Sequence, residues 1–368
     1  MLSKNYCYEY PNHNTLKNKA NIKDYDKLEQ WLARKTTARV TELRDMPLPN
    51  KLDSNYLKQI HQHIFQDGFE WAGVTRDVPF KFSDGSIANM PTMYKAGARY
   101  PFLHGDEIQN EFKKLDASLQ SKNYLQGLSR EEFTHEAAKL LAHLNYIHPF
   151  REGNGRAQRA FIEKIALQAD HKIRFSVVTA ERMVLASISA REQNNLEDMQ
   201  HMFEDISNPP KTAALKEFLD AMARRGDMQE INERNVVFAK EGIVYQGSLF
   251  GIAKQGFVMT HQDRDIIVGS RDDLNEKQLK LRSGEAISFI KLTAEQQEQL
   301  QELEDAVKDA SLALDDFKKQ KSSDIKLYEK LANQASAARY DLDMFIANGY
   351  KPPAIDNPKQ SATKSRGR

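Results

Sequence analysis

Residues 148 to 159 read HPFREGNGRAQR. Twelve positions hold an imidazole, a carboxylate, a glycine turn and two guanidinium groups. Gly153-Asn154-Gly155 falls between two helical patterns, at the start of the second. Backbone N–H groups there have no intrahelical partner, and the helix dipole favours an anion. Glycines let the backbone approach a phosphate and form an anion-binding concavity. Arg156 and Arg159 are three apart and share a face of the first turn. Two cations at a helix N-terminus are unfavourable without a compensating anion, which a polyphosphate supplies. Glu152 suits a Mg²⁺ ion shared with phosphate oxygens. His148 ends the preceding helix, where a neutral imidazole can take a proton from an attacking hydroxyl. Together these groups fit attack on a nucleoside triphosphate at phosphorus. Singly, each has an ordinary explanation: a satisfied structural histidine, a helix cap, solvated arginines. Their conjunction is what makes the stretch specific.

The positioning elements follow from periodicity and caps. Asp24 caps a helix with Leu28, Trp31, Leu32 and Val40 on spaced positions, and LDSNYLKQIHQHIF repeats the pattern. Val78, Phe80 and Phe82 alternate into the Asp84-Gly85 turn, which predicts a β-hairpin over 78–91. Ser129 and Glu132 make a capping box that opens a helix carrying Phe133, Ala137, Leu140, Leu141, Leu144 and Ile147 on one face. Pro149 stops it, and RAQRAFIEKIALQA resumes the helical period. Thr179 caps a further helix running to residue 206. Arg182 sits in its first turn, where a cation is disfavoured, and is a further candidate for reaching a nucleotide.

The 368 residues allow two domains and an appendage. Formal net charge is +1, which excludes nucleic-acid binding through overall positive charge. A single cysteine, Cys7, excludes an internal disulfide framework and fits a reducing compartment. No stretch reaches the roughly 20 apolar residues of a membrane span, and the N-terminus has no continuous apolar run of a cleaved secretory signal. SNPPK, residues 207 to 211, reads as a boundary. Beyond a short helix (Leu215, Phe218, Leu219, Met222), residues 236 to 292 hold five short apolar runs, predicting a small β-barrel or sandwich. Seven basic and seven acidic residues between 236 and 290 give it no pull on a phosphate backbone. A capping box at Thr293 and Gln296 starts heptad-like seams, Leu300 to Phe317 and Tyr328 to Phe345. The end, KPPAIDNPKQSATKSRGR, is basic and disordered by composition.

HPFREGNGRAQR also resembles the signature of the Fic family, His-x-Phe-x-(Asp/Glu)-Gly-Asn-Gly-Arg-x-x-Arg, at every fixed position. The resemblance implies AMP transfer from ATP to a protein Ser, Thr or Tyr hydroxyl, with pyrophosphate leaving. It makes His148 the base, Phe150 the core anchor of the loop and Glu152 the Mg²⁺ holder. It gives Gly153, Asn154 and Gly155 the phosphates to cradle, and Arg156 and Arg159 the phosphates to bind. The kinase-like branch carries Ala and Lys where this chain has Gly153 and Arg156, which makes the AMP-transferring pattern the match; UMP or another donor group stays open. The hairpin corresponds to the family's flap, which aligns a target segment by strand addition. EWAGVTRDVPF, residues 70 to 80, resembles the lead-in to it. Ala88, Asn89 and Met90 are the docking candidates.

Residues 1 to about 292 resemble the Bep effectors through YPNHNTLKNK, FEWAG, DGSIANMP, LQGLSREEF, MQHMFEDISNP, LKEFLDAM and VVFAKEG. The expected architecture is multidomain and mainly α. Residues 1–208 form an all-α Fic core with its flap, and 212–292 a connecting helix and small OB-like β-barrel. Residues 293–350 form a helical hairpin or coiled coil, and 351–368 a basic disordered tail. Bep effectors end in a helical domain and a charged tail read by type IV secretion machinery. Residues 293–350 are short for that domain, while ATKSRGR fits the tail. The implied localisation is synthesis in a bacterial cytoplasm and secretion into a host cell's cytoplasm. The implied partner is a host protein with a target hydroxyl; small GTPases, modified by several family members, are one such class. The family's inhibitory pattern (Ser/Thr)-x-x-x-Glu-(Gly/Asn) is not found, which implies an antitoxin-like inhibitor in trans or none. Two other readings stand beside this one: an adaptor with a vestigial core, and a toxin acting in its own cell.

Overall fold

A computed structural model describes residues 7–94, 101–262, 265–320 and 324–347; the basic tail at 351–368 lies outside them. Contacts divide the chain into two units, Met1–Val237 and Phe238–Arg368. In the first, helices begin where side-chain oxygens can cap them. Asp24 accepts the Lys27 N–H at 2.9 Å and opens α1 (Tyr25–Asp45). Asp53 does the same with Tyr56 for α2 (Ser54–Phe65). A short hairpin follows, β1 (Phe80–Lys81) antiparallel to β2 (Ile87–Ala88), then α3 (Gly105–Ser121). The Ser129–Glu132 capping box is formed in both directions at the start of α4 (Arg130–Ile147). After the glycine turn comes α5 (Asn154–Gln168).

Two expectations change. Residues 181–206, read as one helix, form α6 (Ala180–Glu192) and α7 (Glu197–Ser207). Asn194 takes a φ of 51°, a left-handed conformation asparagine tolerates, and Asn195 accepts the Glu197 N–H at 2.8 Å to restart the helix. The prolines read as a boundary instead begin α8 (Pro209–Arg225), capped by Asn208. Proline suits that first turn because its N–H would have no partner there. The first unit continues through α8 and α9 (Met228–Asn232) before the division at residue 237.

The core gathers on α4 and α5. α4 packs on α5 and α7, and α5 also on α2. Leu57, Ile60, Phe133, Leu144, Ile147, Phe161, Ile162, Ile165 and Phe203 are fully buried. Each such side chain contributes about 1.5–3 kcal/mol over its exposed state. The two helices that flank the glycine turn are therefore fixed by packing.

β3 (Asn235–Phe238) runs across the division. In the second unit β6 (Asp265–Ser270), β5 (Gly256–His261), β4 (Val244–Ile252) and β7 (Ala286–Ile290) lie side by side in that order, antiparallel. The closed OB-like barrel expected here is not formed among the described residues. A barrel needs its edge strands paired along their length. Here an isolated parallel bridge, Glu241 to Lys291, relates the two ends. α10 (Ala294–Lys319) and α11 (Ile325–Ala347) then pack together as the expected hairpin, with Phe317, Leu342 and Phe345 buried in its seam. Among the described residues no helix is long and apolar enough to cross a membrane.

Candidate active site

The loop between α4 and α5 is held by its own residues first. Asn154 donates its amide to the Phe150 carbonyl at 2.7 Å and accepts the Phe150 N–H at 2.9 Å. Its side chain is thus a brace, spent on the loop's own backbone. Phe150 is fully buried, as the resemblance implied, with its ring stacked 3.8 Å from the imidazole of His61. Gly153 takes a φ of +85°, and a Cβ there would meet the Phe65 ring at 2.2 Å. Both its backbone and its space demand glycine. At the start of α5 no side chain caps the helix, and the N–H groups of 154, 155 and 156 have no partner among the described residues. It is at this terminus that the sequence reading expects an anion.

His61 is a residue the sequence reading missed. From α2 it donates Nε2–H to the Glu152 carbonyl at 2.9 Å, while its Nδ1 accepts the Gly73 N–H at 2.9 Å. Those two bonds fix one neutral tautomer. Burial pushes its pKa down to about 3 from 6.5. The unfolded chain gains this proton below about pH 6.5 and the folded chain only near pH 3, so stability falls as pH drops through that window. Linkage makes the loss about 1.4 kcal/mol per pH unit. Unfolding free energies from urea titrations at pH 7 and pH 5 are expected to differ by about 2 kcal/mol more in the natural chain than in His61→Gln. Equal pH dependence in the two would refute the assignment.

His148 closes α4 in a left-handed conformation, φ 44° and ψ 62°. Its ring stacks on Phe102 with centroids 3.7 Å apart and planes within 9°, and the Arg191 guanidinium lies 4.7 Å from the centroid of the same Phe102 ring. Phe102 thereby sets the plane of the imidazole. Glu152 receives the Gly153 N–H at 2.9 Å and the Arg156 Nη2 at 3.2 Å on one oxygen. Glu29 of α1 sits close enough that burial, then the Glu152 charge, raise its pKa. The described residues contain no group of three or more His, Cys, Asp or Glu able to hold a metal. Glu152 and Glu29 are the one or two carboxylates that Mg²⁺ takes when phosphate oxygens and water complete its shell.

Arg156 lies over the Phe65 ring at 4.7 Å and reaches Thr36 at 3.3 Å. Arg159 is different. It is half-buried, burial and then the Arg156 charge lower its pKa, and it has no hydrogen bond or ion pair among the described residues. Gly155 adds no side chain there, its ideal Cβ lying 3.2 Å from an Arg159 guanidinium nitrogen. A half-buried cation with no partner is costly unless an anion arrives.

Of the flap candidates, Ala88 pairs with Phe80 and is fully buried, and Met90 spends its N–H and carbonyl on Arg76. Asn89 between them is half-buried. Arg182 has a carboxylate partner. Its Nη2 lies 2.6 Å from Asp205 and both side chains are buried, so a carboxylate already answers the cation in that first turn. We assign it to the scaffold.

The description "Fic/DOC family" matches residues 51–166. The chain is 46% identical over 290 residues to a protein adenylyltransferase of Bartonella henselae, covering 78% of this chain and 53% of that protein. It therefore spans about half the length of that relative. It is 30% identical over 199 residues to the probable protein adenylyltransferase Fic of Escherichia coli K12, covering 54% of this chain and 90% of the relative. Among solved structures, the type IV secretion system effector protein BepA superposes with a TM-score of 0.75 at 45% identity, covering 78% of this chain and 96% of BepA. An N-terminal Fic domain of a Bep effector from Bartonella quintana, with bound ADP, gives 0.54 at 50% identity over 55% of this chain and 94% of that one.

Proposed function

The chain belongs to the Fic family, and on that premise we propose that it transfers AMP from ATP to a hydroxyl of a target protein. The observation that carries this reading is Arg159, a half-buried guanidinium beside an uncapped helix start with no partner of its own. It needs an anion, and the neighbouring free N–H groups shape that anion as a phosphate chain. Relatives named as adenylyltransferases and a solved relative holding ADP support the donor's identity.

The target oxygen forms a bond to the α-phosphorus while the bond from that phosphorus to the bridging oxygen of pyrophosphate breaks. The hydroxyl proton passes to the His148 imidazole, whose plane Phe102 fixes. Arg156, Arg159 and the N–H groups of Asn154, Gly155 and Arg156 hold the phosphate oxygens as charge shifts toward pyrophosphate. Glu152 would hold Mg²⁺, with Glu29 beside it; the ion supplies neutralisation of phosphate charge. Asn154 acts through the Phe150 backbone rather than on phosphate. The target segment adds along the flap hairpin near Ala88 and Asn89. By analogy with BepA, a type IV secretion effector, the target is a host protein and delivery uses that machinery.

ATP labelled at the α-phosphate, incubated with the full chain, Mg²⁺ and host-cell lysate, is expected to label a protein band. ATP labelled at the γ-phosphate is expected not to. Label from the γ position would reverse the nucleotide and overturn AMP transfer.

A further inference from the structure

Arg76 lies between α2 and β1 and is fully buried, yet it has no carboxylate at ion-pair distance among the described residues. Its Nε donates to the His148 carbonyl at 2.8 Å. Nη1 donates to the carbonyls of Met90 at 3.1 Å and Pro91 at 2.6 Å. Nη2 donates to those of Leu103 and, at 3.4 Å, Ile147. A guanidinium has five N–H groups, and here five carbonyls meet them. Its backbone joins the same segments: its N–H donates to Pro149 at 2.8 Å and its carbonyl accepts from Met90 at 2.8 Å. Burial pushes its pKa down to about 10, which leaves it charged near neutrality.

The carbonyls it collects come from three places that must agree for transfer to occur. Ile147 and His148 are the last carbonyls of α4, which have no helical partner and form the negative end of its dipole. Met90 and Pro91 end the flap. Leu103 follows Phe102, on which the His148 ring stacks. His148 itself is strained. It is left-handed, and it precedes Pro149, a position where helical conformations of the preceding residue are sterically disfavoured. Something must hold it there, and the guanidinium does so at the carbonyl of that same residue.

We propose that Arg76 is a positioning residue that locks the His148 backbone in its left-handed conformation and ties the flap to it, so that base alignment and target docking are set by one side chain. This rests on the AMP transfer proposed above. Arg76 touches neither nucleotide nor target; it acts through His148 and the flap. A lysine cannot replace it, because an ammonium has three donors on one atom and cannot span five carbonyls from three segments.

The test compares the full chain with Arg76→Lys and Arg76→Gln, using α-labelled ATP and host-cell lysate at graded total protein concentration. ATP-binding sites are counted by titration, so that any misfolded fraction is removed from the comparison. The natural chain is assayed first: failure to label there sinks the AMP-transfer reading before any variant is made. Given a labelled band, both variants are expected to keep the ATP dissociation constant. Their rate per ATP-binding site is expected to fall about 10²-fold, the scale of an ångström-sized misalignment. The lysate concentration giving half-maximal labelling is expected to rise. A purely structural arginine would instead lower the number of binding sites at unchanged rate per site and unchanged half-saturation, and that result overturns the proposal. So does full rescue by lysine, which would make charge alone sufficient, or loss of all ATP binding with collapse of the melting transition, which would make Arg76 a folding residue.

Discussion

His148→Ala is expected to lower AMP transfer by about 10²–10⁴-fold, the usual contribution of a general base, at an unchanged ATP dissociation constant. The groups that hold phosphate in the proposed mechanism all belong to α5 or to its start, and the imidazole is not among them. What the substitution removes is the proton acceptor and the ring stacked on Phe102. Losing that stack costs about 0.5–1.5 kcal/mol, and because His148 already bears the left-handed strain, alanine adds less than about 1 kcal/mol, the scale of histidine's several-fold enrichment at positive φ. Neither amount unfolds a core of this size. Transfer from α-labelled ATP, expressed per ATP-binding site, separates the chemical loss from the modest loss of stability. A variant that kept a tenth or more of the natural rate would remove His148 from the role of base.

This experiment tests what the sequence makes legible, and the reason for that legibility is local. The proposed phosphate-binding arrangement is written in twelve consecutive residues because a turn and the helix start after it place their own backbone N–H groups and side chains together. Caps are equally local: Ser129 finds Glu132 three residues away, and Thr293 finds Gln296, so both boxes are read correctly without tertiary knowledge. The heptad seam of α10 and α11 is a matter of period alone, and Phe317, Leu342 and Phe345 are indeed its buried members.

The residues missed were those whose meaning depends on a distant partner. His61 lies 91 positions from Glu152, and Arg76 lies 72 from His148. Nothing near His61 in QIHQHIF distinguishes it from a surface histidine except its place on the apolar face of α2. Arg76, between Thr75 and Asp77, reads as a solvated loop cation. Asn194 and Asn195 interrupt an otherwise helical period, but a left-handed turn at one asparagine and a cap at the next are options that a period-based reading does not weigh. The barrel failed for a related reason: alternation predicts strands one by one, but closure depends on pairing the first with the last.

Asp205→Ala carries the largest expected stability change, about 3–5 kcal/mol, the cost of breaking a buried ion pair from one side. Asp205 is fully buried. It receives Arg182 at 2.6 Å and Lys211 at 3.1 Å, and His201 lies 3.5 Å away. Burial raises its pKa, but the charges of Arg182, His201 and Lys211 and the Arg182 bond outweigh that and hold the carboxyl below its ordinary value. The cluster joins α6, α7 and α8, with the Thr212 hydroxyl also donating to the Asp205 carbonyl at 3.0 Å. Alanine would leave the Arg182 charge in a site only 3% exposed. The melting temperature of the first unit is then expected to fall by about 10 °C. Replacing both partners, Arg182→Met with Asp205→Leu, removes the stranded charge together with its answer and is expected to cost clearly less than the single change. Lys211 can turn to solvent in that variant, since it is already part-exposed. The double variant also separates the two roles considered for Arg182. A scaffold arginine leaves the ATP dissociation constant where it was, whereas a phosphate ligand would weaken it about tenfold or more, as the loss of a charge-assisted bond does. Weakened ATP binding in the double variant would return Arg182 to the active site; a double variant as unstable as Asp205→Ala would show that the stranded charge is not what the single change pays.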